Sequence, residues 1–247
     1  KKAIIPIAGL GKRFRPFSNI LPKELWPLVD KPVLEYIIEE AVSSGVKKLI
    51  FVNRPGKKIL ADYLKSYSFP QIIQKKPLGD GHAILQAEKS LGKEPFAVLF
   101  GDDVVESKTP CLLQLIKVFK KYGRPVIALN KIPKEKTPSY GVVAVKKIGD
   151  RLYQIKDIIE KPSVKKAPSS LAIVGKYILT PDIFNYLKKV KPGRDKEVRL
   201  AEALKAMLKA GKTVLGLRFE GKWLECGNKS AYLKSNLYLS LKHPQFG

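Results

Sequence analysis

Cysteine, histidine, acidic residues and long apolar runs are all scarce in this 247-residue chain. The two cysteines, Cys111 and Cys226, stand far apart without a C-x-x-C, and there are only two histidines. That set assembles neither a zinc finger nor a disulfide scaffold, and it suits a reducing, cytoplasmic setting. No stretch approaches the roughly 18 uninterrupted apolar residues of a membrane helix, which excludes a helical membrane span. Lys1-Lys2 leads into a short apolar run that ends in glycines with no cleavage site, so a signal peptide is not expected. The chain also lacks the G-x-x-x-x-G-K-[ST] of a P-loop and the G-x-G-x-x-G helix start of a dinucleotide fold.

What is present is lysine. With 47 Lys+Arg against 22 Asp+Glu the formal net charge is +25, and both halves are basic (+9 over residues 1–123, +16 over 124–247). A surplus of this size points to nucleic acid, an anionic membrane or small polyanions as partners. The charge comes in scattered pairs such as Lys47-Lys48, Lys57-Lys58, Lys146-Lys147 and Lys165-Lys166, with no single basic arm. Most of it reads as solvated surface. A nucleic-acid binder would show tight, steeply salt-dependent association; charge alone argues for one, so nucleic acid is not the expected partner.

Apolar content of 45% supports a sizeable core. The pattern predicts strands over 2–8, 48–52, 71–74, 96–100 and 125–130, alternating with helices over 33–44, 57–67, 81–91 and 112–122. Strands over 141–145, 152–159 and 171–179 follow with only turns between them. Helices over 182–190 and 200–210, a strand over 213–219 and a helix over 229–241 complete the chain. The expectation is an α/β fold with an open, mainly parallel mixed sheet flanked by helices and a small antiparallel lobe. It is read as one domain over 1–247, with halves at about 1–130 and 131–247.

In open parallel sheets ligands bind at the carboxyl ends of strands. Three segments fall there. The loop AGLGKRFRPFSNILPKELWPLVDKP follows the first strand and combines Gly9 and Gly11 with Arg13, Arg15 and Lys23, a set suited to phosphate oxygens. Asp102 directly follows FAVLF, where a hard oxygen ligand can meet Mg²⁺. QKKPLGDG sets Gln74 five residues before Gly79. Without the rest of the chain, each of these reads equally well as a turn, a helix cap or surface charge, and His82 reads as a packing residue at a helix start.

In order along the chain come PIAGLG, LPKE, PLVDKP, PLGDGHAIL, FAVLFGDD, YGVV, IIEKP, PSSLAIVGKYILTP and ECGNKSAYL. These blocks resemble the sugar-1-phosphate nucleotidylyltransferases, and within them the bacterial UTP–glucose-1-phosphate uridylyltransferases. The resemblance implies a Rossmann-like nucleotidyltransferase fold, Mg²⁺ as cofactor, and UTP and glucose 1-phosphate as substrates. A sugar-phosphate oxygen attacks the α-phosphorus in line and pyrophosphate leaves, which needs cations and a metal but no covalent nucleophile. By resemblance Arg13 and Lys23 are catalytic, on the triphosphate and the leaving pyrophosphate. Ala8, Gly9, Gly11, Glu24, Gln74 and Gly79 bind the nucleotide, with Gln74 on the pyrimidine edge, where an amide can donate and accept at once. Gly141, Glu160, Lys161 and Val174 line the sugar-phosphate half, and Asp102 and Glu225 hold the metal. Asp103, next to Asp102, is expected to point elsewhere and to be structural.

The chain departs from the family at four places. Lys12 replaces the threonine of the usual GLGTR, the PATKA stretch becomes Pro16-Phe17-Ser18-Asn19-Ile20, and Glu225 stands where the second metal aspartate is expected. The segment 56–71 and the tail after Leu241 are short, and these regions help build the family's subunit contacts. A homo-oligomer is compatible with the resemblance, but the family's assembly does not carry over. Thymine presents the same edge as uracil, so a dTTP-using glucose-1-phosphate thymidylyltransferase is the alternative enzyme. A non-catalytic sugar-nucleotide-binding paralogue is the alternative from another class.

Overall fold

The computed structural model describes residues 1–193 and 195–247. The chain runs β1 (Lys2–Pro6), β2 (Pro27–Leu28), β3 (Lys31–Pro32), α1 (Val33–Ser43), β4 (Lys48–Asn53), α2 (Lys58–Lys65) and β5 (Gln71–Ile73). It continues through α3 (Asp80–Gln86), α4 (Glu88–Leu91), β6 (Phe96–Leu99), β7 (Asp103–Glu106), α5 (Cys111–Tyr122) and β8 (Val126–Lys131). Then follow β9 (Gly141–Lys147), β10 (Leu152–Glu160), β11 (Leu171–Leu179), α6 (Ile183–Leu187), α7 (Leu200–Lys209), β12 (Leu215–Arg218), β13 (Lys222–Glu225) and α8 (Lys229–Ser240).

Nine strands form one mixed sheet in the order β5-β4-β1-β6-β11-β8-β12-β10-β9. The β5-β4-β1-β6 run is parallel throughout, and β12 is parallel to β8. Apolar runs such as KAIIP and FAVL are buried on both faces, as strands inside a helix-covered sheet must be. One core layer packs α1 and α5 against the sheet through Leu34, Ile37, Leu112 and Leu115; the other packs α3, α6 and α7 through Ile84, Phe184, Leu204 and Met207.

The strands expected as a small antiparallel lobe are β9, β10 and β11, which pair antiparallel with one another as a continuation of this sheet. β11 runs antiparallel to both β6 and β8, and β9 and β10 close the far edge. Antiparallel pairing outside it is confined, among the described residues, to β2–β3 and to a ribbon of β7 and β13. That ribbon was not anticipated. Its register sets Asp103 opposite Glu225 and Val104 opposite Leu224, so it carries one candidate metal ligand and begins directly after the other. Two expected helices are also shorter or broken. Residues 81–91 divide at Ala87, whose φ of −89° and ψ of 0° interrupt α3 and α4, and 182–190 keeps only Ile183–Leu187 as α-helix.

Beneath the ribbon lies a buried ion pair. Lys176 on β11, with no exposed surface, sets Nζ 2.7 Å from Glu40 of α1. The other Glu40 oxygen accepts from the Leu112 N–H at the start of α5. Breaking such a pair leaves one buried charge uncompensated, at a cost of about 3–5 kcal/mol.

Candidate active site

A cleft of about 500 Å³ opens along the carboxyl ends of the parallel strands, where the topology predicts it. Its walls come from the loop after β1, the turn before α3, the β6–β7 junction, the start of β9, the end of β10 and the middle of β11. Of the residues given a binding, catalytic or metal role by the resemblance, all but Val174 line this space, whereas Arg15 does not. Val174 is fully buried, in the core layer of α1 and α5, while its neighbours Ile173 and Gly175 face the cleft. Strand side chains alternate between faces, so one residue of shift sends the side chain away from the sugar side.

Lys23 and Asp102 meet at the centre. The ammonium is bonded to Asp102 Oδ2. Burial works against the charge of Lys23, yet the Asp102, Glu24 and Asp103 carboxylates hold its pKa above the ordinary lysine value. Burial likewise pushes Asp102 up, and the Lys23 charge, its hydrogen bond and Arg13 together bring it below the usual carboxylate range. The pair is therefore ionised at neutral pH. Arg13 and Lys12 lie beside it in a single 3₁₀ turn, both exposed and lining the cleft.

Glu24, expected on the nucleotide, is committed elsewhere. It is 2% exposed, and both of its oxygens lie 3.0 Å from the Lys57 ammonium, which also donates to the Ile7 carbonyl at 2.7 Å. The pair ties the loop after β1 to the start of α2 and leaves Glu24 no free charge for a ligand. Lys57 carries no motif in the sequence; only proximity reveals it.

Asp103 turns away from Asp102. Its carboxylate accepts from the Trp223 indole N–H at 2.8 Å and the Gly175 backbone N–H at 3.1 Å. Burial, with the Asp102 charge beside it, pushes it up to about 7. Glu225, across the ribbon, is held from two sides. Tyr140 donates its hydroxyl to Oε2, and Asn228, the N-cap of α8, donates Nδ2 to Oε1 at 3.1 Å while its own Oδ1 caps the Ala231 N–H. A Cβ built on Gly227 stands 3.1 Å from Asp102 Oδ2 and 3.3 Å from Glu225 Oε1. Glycine thus keeps open a gap flanked by two carboxylate oxygens. Hard, anionic oxygen donors on both sides fit Mg²⁺, which takes few protein ligands and completes its shell from water and phosphate. Among the described residues no three His, Cys, Asp or Glu side chains cluster as a metal site. Tyr140 and Asn228 were not singled out in the sequence, although Tyr140 stands inside the YGVV block.

Gln74, 2% exposed, lines the cleft beside Gly79. Gly79 has φ +97°, and a Cβ there would come within 2.6 Å of the Val198 carbonyl, so only glycine fits. Next to it, Asp80 caps two backbone donors, Gly81 N at 2.7 Å and Leu200 N at 3.1 Å. Burial nevertheless raises its pKa to about 6, the two N–H bonds opposing and the Glu160 charge adding to the rise. A folded-state pKa above the unfolded value of ~3.9 means that the native state holds the proton more tightly, so stability falls as pH rises from about 4 through 6. Asp80→Asn keeps the acceptor but not the titration. Its melting temperature, relative to the parent, should climb across that window; a constant offset from pH 4 to 7 would remove this role for Asp80.

Also lining the cleft, Gly141 and Glu160 are cross-strand partners of β9 and β10, and a Cβ on Gly141 would meet Glu160 Oε2 at 3.1 Å. Lys161 follows with its Nζ 3.7 Å from Glu160. Its φ of +47° is a left-handed conformation that costs a non-glycine residue about 1–2 kcal/mol. Backbone held off its preferred basin in this way is found at ligand-binding turns.

A nucleotidyl transferase family model matches residues 2–240. The UTP–glucose-1-phosphate uridylyltransferase of Staphylococcus haemolyticus is 37% identical over 99% of this chain and 94% of its own length. One from Staphylococcus saprophyticus is 35% identical over 98% of this chain and 93% of its own. A crystal structure of a UDP-glucose pyrophosphorylase complexed with UDP-glucose is similar at TM-score 0.93 and 36% identity, covering 98% of this chain and 99% of that one. A UTP-bound enzyme of the same name from Acinetobacter baumannii is similar at TM-score 0.87 and 32% identity, covering all of this chain and 95% of that one.

Proposed function

The chain belongs to the nucleotidyl transferase family, and from that premise we propose that it transfers the uridylyl group of UTP to glucose 1-phosphate, giving UDP-glucose and pyrophosphate. The observation that carries this reading is one cleft lined together by the Gln74 amide, the Glu160–Lys161 carboxylate–lysine pair and the Arg13, Lys23 and Asp102 charges. The relatives named above are uridylyltransferases, which favours UTP over dTTP.

In this reading Gln74 meets the pyrimidine edge and the backbone of Ala8, Gly9 and Gly11 runs along the triphosphate. Glu160 accepts from sugar hydroxyls. Lys161 holds the sugar phosphate near the α-phosphorus, which lowers the barrier by positioning. Arg13, unpaired among the described residues, meets charge that grows on the departing pyrophosphate. Asp102 and Glu225 would hold a Mg²⁺ ion, which would supply positive charge to the reacting phosphate oxygens. Lys23 balances Asp102 and keeps its carboxylate ionised. The cysteines Cys111 and Cys226 are buried and unpaired, and no helix is long and apolar enough to cross a membrane among the described residues. The unpaired cysteines support a cytoplasmic setting.

The test is pyrophosphate release across UTP, dTTP, CTP and ATP with several sugar 1-phosphates, with and without Mg²⁺. Mg²⁺-dependent release with UTP and glucose 1-phosphate is expected. Preference for dTTP, or tight nucleotide binding without release, overturns the reading in favour of the thymidylyl enzyme or the non-catalytic paralogue. Within it, Lys161→Ala should raise KM for glucose 1-phosphate about tenfold or more, the loss of one charge-assisted contact, with KM for UTP little changed. The reverse pattern would move Lys161 out of the sugar side.

A further inference from the structure

We propose that His82 is a positioning residue for base recognition: it fixes the Gln74 amide so that only its carbonyl oxygen faces the nucleotide base. The inference rests on the uridylyl-transfer reading and adds to it a residue and an atom.

The hydrogen bonds around Gln74 leave one consistent assignment. Gln74 Nε2 lies 3.1 Å from the Gly79 carbonyl and 2.8 Å from His82 Nδ1. Gly79 O is an acceptor that already receives the Ala83 N–H. Turning the amide over would set two carbonyl oxygens against each other, so the NH₂ group must face Gly79. One amide hydrogen goes to Gly79 and the other points at His82. His82 Nδ1 must then be the bare nitrogen, with the ring proton on Nε2; the exposed Gln86 amide, whose nitrogen lies 3.3 Å from Nε2, matches this state when turned so that its oxygen accepts that proton. Burial pushes the His82 pKa down from its ordinary value, which keeps the ring neutral and Nδ1 able to accept. Both donors of Gln74 are thereby committed inside the protein. Oε1 receives no hydrogen bond from any described residue, and Gln74 lines the cleft.

The consequence is a base pocket that reads with an acceptor only. The Gln74 oxygen takes an N–H, which uracil and thymine present at N3. Cytosine presents a lone pair at the same ring position, which would face the oxygen lone pairs unpaired. Discrimination of this kind, by leaving a buried polar group without its partner, is stronger than discrimination by size. His82 earns its effect through Gln74, because neither ring nitrogen bonds to the phosphate loop or to Lys161 among the described residues.

The test compares the parent with His82→Leu, which removes the acceptor, and His82→Asn, whose Oδ1 can stand where Nδ1 does. UTP and CTP affinities are measured calorimetrically without sugar phosphate, alongside KM for UTP, kcat and melting temperature. His82→Leu should lower the UTP-over-CTP preference about tenfold, and raise KM for UTP by a similar factor with a much smaller change in kcat. His82→Asn should recover most of both. An unchanged preference in folded His82→Leu overturns the inference and leaves uridylyl transfer standing, as does a His82→Asn no better than His82→Leu. A parent with no preference for UTP over CTP overturns the inference together with the reading on which it rests.

Discussion

Asp102→Asn should cut turnover roughly 10²- to 10³-fold and lower the melting temperature as well. The two effects have separate origins. Asparagine keeps the shape, and the backbone bond from Cys226 N to Asp102 O at 2.7 Å is untouched. What goes is the charge that Lys23 and Arg13 stabilise. Lys23 is then left half-buried without its partner, which accounts for the lost stability. One of the two carboxylates flanking the Gly227 gap is gone too, so the Mg²⁺ concentration for half-maximal turnover should rise. Steady-state kinetics against Mg²⁺, with thermal melting on the same samples, separates the two. A variant that melts early but keeps its kcat would make Asp102 a structural partner of Lys23 and nothing more.

Arg13→Ala gives the opposite combination: a loss of kcat of about 10²-fold or more with the melting temperature unchanged. Arg13 is exposed and has no ion pair among the described residues, so folding has little at stake in it. In the proposed reaction its value lies in charge that appears on the leaving group as the bond breaks, and an interaction made chiefly in the transition state shows in kcat before KM. Lys12 lies in the same turn and supplies a second cation, which limits the loss. If kcat for Arg13→Ala matches the parent, the guanidinium is surface charge and the cleft neutralises the pyrophosphate by other means.

The Glu225 departure acquires a physical account from the structure. The side chain is one methylene longer than aspartate, and its two oxygens are steadied by Tyr140 and Asn228. A longer carboxylate left free would sample several rotamers; pinned from two sides it can present one oxygen toward the Gly227 gap.

The alternation of strands and helices, the glycine-and-arginine loop after β1 and the aspartate at the end of FAVLF were all legible in the amino-acid sequence. All of these are written in windows of about ten residues, where apolar period and glycine placement act locally. It did not determine the β7–β13 ribbon, whose four-residue strands DVVE and KWLE are too short for a periodic signal and whose pairing joins segments more than a hundred residues apart. Nor did it determine that Val174 faces the core while Ile173 faces the cleft, because period two sets alternation but not which face is which. Only the tertiary structure decided which charges meet: Lys23 with Asp102, Glu24 with Lys57, Lys176 with Glu40. It also decided which atom of Gln74 is free, since Gly79 and His82 claim both amide hydrogens. The physical reason is common to these cases. A residue type fixes what a side chain can donate or accept, but its partner is chosen by whichever distant segment the fold brings within about 3 Å.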